Sequence, residues 1–349
     1  MSGRQTLLVA LFGAAMMIFL PSIWSKRENF HWNSDYRIPY ELSSDYWHYA
    51  RVAKQAAEAS DLIALGDSVI WGEYVRPAET LPHDLGAITG KRVANLGLNG
   101  LRPTMMIGLL EGYATWRGKK VLLHCNPLWL QSPKTDLSLE LAKDDSDVAF
   151  NHPALLPQFS PRIPSYRAET SRRLGNVVER YVPFNVWTDH LQAAYFDSKS
   201  IPEWMIEHPH ENPLKRVTFA LAAPADEPHT KTVKNWKEAG GMRQTMEWVD
   251  LEKSVQWASF RRAVEILRER GNQVFVLVGP FNEHLLTDAG RERYRTIKGG
   301  IDAWLTAQGV PHLAPGPLPS EIYPDASHPF AAGYEMLARQ LAAQPFFRE

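Results

Sequence analysis

Two residues that lie far apart in this sequence have the chemistry of a nucleophile and its base. Ser68 ends the tripeptide Gly66-Asp67-Ser68, directly after an apolar run, and His328 ends the segment Asp325-Ala326-Ser327-His328. A serine hydroxyl holds almost no alkoxide at neutral pH, so it attacks a carbonyl carbon only when a base takes its proton. A histidine that an aspartate orients is such a base. These residues predict covalent acyl chemistry at Ser68, with Asp325 orienting His328.

The surrounding pattern predicts the elements that must hold these residues. Short apolar runs alternate with amphipathic segments, which is typical of a parallel sheet covered by helices on both faces. The predicted fold class is therefore α/β, with one five-stranded parallel sheet. We expect helices at 46–59 and about 103–116, and strands at 62–65, 92–96, 121–125, 273–278 and 310–313.

The candidate residues follow the ends of the predicted strands. Ser68 follows the first strand, Gly100 the second and Asn126 the third, while Asp325 and His328 lie in the loop after the last. Ligands of an open parallel sheet bind at the carboxyl ends of its strands. We therefore expect these residues to meet at one site.

With these four blocks in this order, the sequence resembles the SGNH, or GDSL-type, esterase and acyltransferase superfamily over about 60–130 and 252–345. The resemblance implies a three-layer, flavodoxin-like sandwich, a catalytic triad of Ser68, Asp325 and His328, and no cofactor or metal. It also implies an oxyanion hole built from the backbone amides of Ser68 and Gly100 and the side-chain amide of Asn126.

Two blocks depart from the family pattern. His124-Cys125-Asn126-Pro127 stands where the family usually has Gly-x-Asn-Asp, so the third oxyanion donor is the least regular of the three. Val69 stands where the family name implies leucine, which is a conservative apolar change.

The composition is that of a globular protein. Thirty-eight basic and 39 acidic residues nearly cancel in a chain of 349 residues, so nucleic acid is not an expected partner. The one cysteine, Cys125, excludes an intrachain disulfide framework, and its place in an apolar strand predicts an inert core residue.

The N-terminus predicts a membrane segment. No charged residue lies between Arg4 and Lys26, and 7–20 is a nearly unbroken apolar stretch. With Ile23 and Trp24 it reaches the minimum of about 17 residues for a spanning helix. A cleaved signal peptide and a buried soluble helix are the alternatives. Bulky residues stand where signal peptidase needs small ones, so we favour an uncleaved anchor.

The rest of the chain divides around this anchor. We interpret 1–24 as the anchor or signal segment, 25–42 as a linker, and 43–349 as the catalytic domain with an irregular insertion at about 127–251. The tryptophans of the insertion suit either a carbohydrate platform or a small satellite core.

These features predict a membrane-anchored serine ester hydrolase or O-acyltransferase with its catalytic domain outside the cytoplasm, in the periplasm or at the cell surface. Pro329 and Gly333-Tyr334 add a resemblance to extracytoplasmic members that partner membrane-bound O-acyltransferases. The resemblance implies an acyl-ester substrate, such as O-acetyl groups of an envelope or exported polysaccharide. The alternative is a catalytically degenerate protein that binds acylated glycan or scaffolds a membrane acylation complex.

Overall fold

The computed structural model describes residues 2–33, 35–142, 151–221, 226–230 and 233–348. Parts of the predicted insertion, at 143–150, 222–225 and 231–232, therefore lie outside the described residues. So does Ser34 of the predicted linker.

Within the described chain, five strands form one sheet in which every neighbouring pair is parallel. This result confirms the predicted α/β class with five parallel strands. The spatial order is β2-β1-β3-β4-β5, one of the common orders of doubly wound sheets. The strands are β1 Leu62–Gly66, β2 Val93–Gly97, β3 Lys120–Cys125, β4 Gln273–Val278 and β5 His312–Leu313.

Helices surround this sheet. In chain order the α-helices are α1 Gly3–Arg27, α2 Tyr46–Ala59, α3 Ser68–Trp71, α4 Leu81–Thr89, α5 Pro103–Gly112, α6 Pro133–Asp136, α7 Thr170–Tyr181, α8 Pro183–Tyr195, α9 Ile201–Glu207, α10 Pro213–Arg216, α11 Val255–Glu269, α12 Asp288–Ala307, α13 Ala331–Ala342 and α14 Pro345–Arg348. Single turns of 3-10 helix lie at Tyr40–Leu42, Pro77–Glu79, Pro127–Leu130, Pro153–Leu155, Glu283–Leu285 and Ser320–Ile322.

The sheet is buried on both faces because successive side chains of a strand point to opposite sides. In β1, Ile63 and Leu65 belong to one apolar cluster, which also holds residues of α2, α5, α11 and α12. Leu62 and Ala64 belong to a second cluster, with residues of α4, α13 and α14. A strand that is covered on both faces is apolar at most positions, which explains the apolar runs in the sequence.

The strand ends are aligned at one edge of the sheet. Gly66 pairs with Gly97, and Cys125 pairs with Val278. A Cβ atom at Gly97 would lie 2.2 Å from the backbone nitrogen of Trp71, so only glycine lets α3 lie against the end of β2. The residues that follow β1, β2 and β3 are thereby brought to the same edge.

Helix α1 is the one helix in the described residues that is long and apolar enough to cross a membrane, with a mean hydropathy of 2.2. It extends past the predicted boundary at residue 24, to Arg27. Its last turn packs on the domain: the Trp24 ring centroid lies 5.5 Å from that of Trp187 and 4.6 Å from that of Phe219. The segment predicted as a linker is also packed, since Tyr36 and Ile38 are buried in the core.

A buried polar network follows the end of α1. The Glu28 carboxylate accepts hydrogen bonds from Trp24 Nε1 at 3.0 Å, Tyr195 Oη at 2.5 Å and His190 Nε2 at 3.0 Å. His190 Nδ1 donates to Asp45 at 2.6 Å, and Arg51 forms an ion pair with Glu28. These contacts join α1, α2 and α8 into one unit.

Candidate active site

Ser68 lies where the sequence predicts it, directly beyond β1. The strand ends at Gly66, and Asp67 caps the short helix α3 by accepting the Val69 N–H at 3.0 Å. Ser68 is the first residue of α3, so its backbone N–H has no acceptor within that helix and is available to a ligand.

His328 reaches Ser68 from a loop 260 residues further along the chain. The Ser68 hydroxyl donates to His328 Nε2 at 2.7 Å. On the other side of the ring, His328 Nδ1 donates to Asp325 Oδ2 at 2.7 Å. Because Nδ1 carries the proton for Asp325, the unprotonated Nε2 faces the hydroxyl, as a general base must.

Asp325 is itself fixed by its loop. Its Oδ1 accepts the backbone N–H groups of Ser327 and His328, both at 2.9 Å. Asn282, which follows β4, donates from its side chain to the Asp325 carbonyl at 3.0 Å and from its backbone to the Ala326 carbonyl at 2.8 Å. The loop after the last strand is therefore attached to the neighbouring strand end.

Charge at this site favours a basic imidazole. Burial alone would raise the pKa of the Asp325 carboxyl, but the charge and hydrogen bond of His328 and two backbone N–H groups lower it. Burial alone would lower the pKa of His328, but Asp325 raises it, and the more distant Asp67 and Glu73 add to that effect. His328 is thus a stronger base than an isolated histidine.

Tyr74 is a site residue that sequence reasoning missed. Its hydroxyl donates to Asp325 Oδ2 at 3.2 Å, and its ring meets that of His328 edge-on at 5.6 Å between centroids. Its backbone has φ 66°, a left-handed conformation that is uncommon for a bulky residue and is often found at functional sites. No sequence motif signals this contact.

Next to Ser68 lies a buried cluster of polar side chains, Asp67, His124 and Asn126, whose contacts the sequence did not predict. Asp67 Oδ1 contacts His124 Nδ1 at 2.9 Å, and His124 Nε2 contacts the Gly279 carbonyl at 3.0 Å. Burial would raise the pKa of Asp67, but His124, Asn126 and the Val69 N–H lower it, so Asp67 is a carboxylate. Both ring nitrogens of His124 therefore face acceptors, an arrangement that two N–H donors satisfy.

The residues at the end of the third strand contact the residue that follows the first. His124 of β3 lies against Asp67, which follows β1. Asn126 Nδ2 donates to the other Asp67 oxygen at 2.8 Å, and its Oδ1 accepts the Leu128 N–H at 3.0 Å. One of the two Asn126 amide hydrogens is thus engaged, which leaves at most one for a substrate oxygen.

Gly100 lies in the loop after β2 with φ 74°, a conformation that favours glycine. A Cβ atom there would lie 1.9 Å from the Asn151 side-chain nitrogen, so a larger residue would displace the Asn151 side chain. The preceding carbonyl, of Asn99, accepts a hydrogen bond from His152 Nε2 at 2.7 Å. Burial lowers the pKa of His152 to about 4, so this ring is a neutral, structural donor.

Cys125 lies beside Asn126 but is 2% exposed. Burial, with a smaller effect of Asp67, raises the pKa of its thiol, so the thiolate that nucleophilic attack needs is strongly disfavoured.

The chain matches no protein-family model, and a search of the curated proteins finds no match. The site itself holds a serine, a histidine and an aspartate in hydrogen-bonded series at the carboxyl edge of a parallel sheet. That arrangement can generate a nucleophilic oxygen without any further group.

Proposed function

We propose that this protein is a serine-dependent O-acyl ester hydrolase or O-acyltransferase of the SGNH type. The observation that carries the proposal is the series Ser68–His328–Asp325, with both hydrogen bonds at 2.7 Å. The strand order 2-1-3-4-5, which flavodoxin-like folds share, supports the proposed superfamily.

The residues suit a two-step acyl transfer. His328 Nε2 takes the hydroxyl proton as Ser68 Oγ attacks the ester carbonyl carbon, and the charge that develops on the carbonyl oxygen is directed to the Ser68 and Gly100 amides. His328 then gives its proton to the departing alcohol, which leaves an acyl group on Ser68. In the second step a water or sugar hydroxyl loses its proton to His328 as its oxygen attacks the acyl carbon. The bond from that carbon to Ser68 Oγ then breaks, and His328 returns the proton to Ser68.

The proposed substrate is an O-acyl, such as acetyl, group of an envelope or exported polysaccharide, with a membrane-bound O-acyltransferase as the partner. This part of the proposal rests on the resemblance of the motifs. We also propose that α1 stays attached and anchors an extracytoplasmic domain. The hydrogen bond from Trp24 to buried Glu28 and the packing of Trp24 on Trp187 support retention, because cleavage after Trp24 would remove these native contacts.

A fluorophosphonate probe tests the nucleophile. We expect wild type to be labelled at Ser68, while Ser68→Ala and His328→Gln fall to background. Ser259→Ala is the matched control, since that hydroxyl donates to the Val255 carbonyl of its own helix at 2.8 Å. Wild-type labelling no faster than that of Ser68→Ala would refute the enzyme and favour the degenerate glycan binder.

Acetyl-ester turnover with and without an oligosaccharide acceptor then separates the two outcomes of the second step. A transferase gives acetylated oligosaccharide at the expense of free acetate. Hydrolysis that added acceptor leaves unchanged would identify an esterase.

A further inference from the structure

A patch of exposed apolar side chains lies on the helices that follow α8. Ile206 and Leu214 are 80% and 81% exposed, and three neighbours in sequence are also exposed. We call this set the α9–α10 patch: Ile201, Met205 and Ile206 of α9, Leu214 of α10, and Phe219 just beyond α10. Large apolar groups that are exposed close together in the chain mark an interaction surface more often than scattered single ones do.

The patch is continuous with the end of α1. The Asn29 N–H donates to the Phe219 carbonyl at 2.9 Å, and the Leu221 N–H donates to the Asn29 carbonyl at 3.0 Å. The Phe219 ring packs on Trp24, in the last turn of α1. One edge of the patch therefore lies where the apolar helix enters the domain.

Contacts with buried residues attach the helices of the patch to the domain. Trp204 of α9 is 1% exposed and belongs to a small apolar cluster with Tyr195 and Phe196, against which Trp24 also packs. The Arg216 guanidinium of α10 lies 5.8 Å over the Trp204 ring and donates to the Tyr195 carbonyl at 3.0 Å. These contacts tie α9 and α10 to the end of α8.

Charge around the patch is balanced. Residues 197–216 contain three Lys or Arg and four Asp or Glu. Two of the basic groups are paired, Lys199 with Glu207 and Arg216 with Asp197. A surface of this kind binds through apolar contact and not by attraction to anionic groups.

We infer that the α9–α10 patch rests in the interfacial layer of the same bilayer that α1 spans, with its apolar side chains among the lipid acyl chains. The inference rests on the proposed retention of α1 and is independent of the chemistry at Ser68. A single helix leaves the domain free to tilt, whereas a second contact fixes its height and inclination. The partner is the lipid surface itself.

Depth-dependent quenching in the full-length chain tests this inference. Ile206→Cys and Leu214→Cys, each carrying an environment-sensitive fluorophore, are placed in phosphatidylcholine liposomes with nitroxide-labelled lipids. Buried Cys125 should give little background labelling. Met336→Cys is the control: Met336 is 38% exposed on α13, which covers the opposite face of the sheet.

We expect quenching at positions 206 and 214 several-fold stronger than at 336, and unchanged between low salt and about 1 M salt, where charge attraction is screened. Each variant should float with the liposomes and react with the fluorophosphonate probe like wild type. That labelling shows the domain is folded and is scored separately from the membrane contact.

Several results would overturn the inference. Equal, weak quenching at all three positions would mean that the patch faces water or a protein partner. Equal, strong quenching would indicate non-specific adsorption. Loss of quenching at high salt would show that charge attraction, and not apolar insertion, holds the patch at the membrane. Failure of the wild-type chain to float would remove the anchor on which the inference rests.

Discussion

Replacing His124 by asparagine tests whether a buried cation supports the nucleophile. The asparagine can still offer an N–H to Asp67, which lies 2.9 Å from His124 Nδ1, but it removes the positive charge and the donor to the Gly279 carbonyl. Asp67 would remain a carboxylate at 3% exposure without a counter-charge. Breaking a buried ion pair from one side costs about 3–5 kcal/mol, so we expect a loss of that size in the free energy of unfolding.

The assay is a double-mutant cycle in urea with His124→Asn, Asp67→Asn and the double variant. We expect the double variant to be more stable than the sum of the single losses predicts, by about 2 kcal/mol, because it leaves no unpaired charge. Nitrogen-15 spectra of the wild-type imidazole should show both ring nitrogens protonated. Fluorophosphonate labelling then measures how far Ser68 depends on the pair.

The pH dependence has a definite sign. The pKa of Asp67 is lower in the folded protein than in the unfolded chain, so the pair stabilises the fold above about pH 3.9 and loses this effect as pH falls through the folded value. The stability gap between wild type and His124→Asn should therefore narrow in acid. A gap below about 1 kcal/mol at pH 7, with additive single losses, would mean that the ring is neutral and the reasoning is wrong.

Three further predictions concern the Ser68–His328–Asp325 series, the polar network at the end of α1, and Gly97 at the end of β2. Asp325→Asn should slow fluorophosphonate labelling of Ser68 about 10³–10⁴-fold, because the imidazole loses its correct tautomer. It should also move the acid limb of the pH profile of labelling to lower pH, because Asp325 raises the pKa of His328. An acid limb at the wild-type pH would contradict this prediction. Burial alone would raise the pKa of Glu28 and lower that of His190. The hydrogen bond and charge of His190 nevertheless lower the pKa of Glu28 to about 2, and Asp45 and Glu28 raise the pKa of His190 to about 9. Glu28→Gln should therefore cost about 3–5 kcal/mol near pH 6, and the difference in thermal midpoint should shrink as pH rises through 9; a constant difference would count against it. Gly97→Ala should lower the urea midpoint by the equivalent of about 1–3 kcal/mol, since its Cβ meets backbone at 2.2 Å; an unchanged midpoint would show that the edge can yield.

The sheet was predictable because strands buried on both faces leave an unmistakable mark in a sequence. β4 has the predicted bounds, and so does α2. The ends of other elements depend on tertiary packing: the helix predicted to reach residue 116 ends at Gly112, and Ala114 and Trp116 are buried without being helical. β5 has two residues where four were predicted, because only Val276 and Leu277 of β4 pair with it.

The described part of the predicted insertion contains longer helices than its sequence indicates. It contains α7 and α8, of 12 and 13 residues. The sequence hides them because α7 is polar over much of its surface, and α8 begins at Pro183 immediately after α7 ends.

The residues of the candidate site also differ in how far the sequence predicts them. Ser68, Asp325 and His328 stand in motifs, so their approach could be predicted from strand ends alone. Tyr74 reaches Asp325 through an unusual backbone angle, which no local pattern encodes. His124 is a polar, ionisable residue within an apolar run of β3, and this exception was the sequence signal for the buried contact with Asp67.

The sequence separation of 260 between Ser68 and His328 also decides when the site can form. A chain is made from its N-terminus, so α1 and Ser68 emerge from the ribosome long before the loop that carries His328. The central strand β3 likewise has no partner on one side until β4 has emerged. Ser68 therefore stays an ordinary alcohol through most of synthesis, and the hydrogen-bonded series can form only once nearly the whole chain has been made.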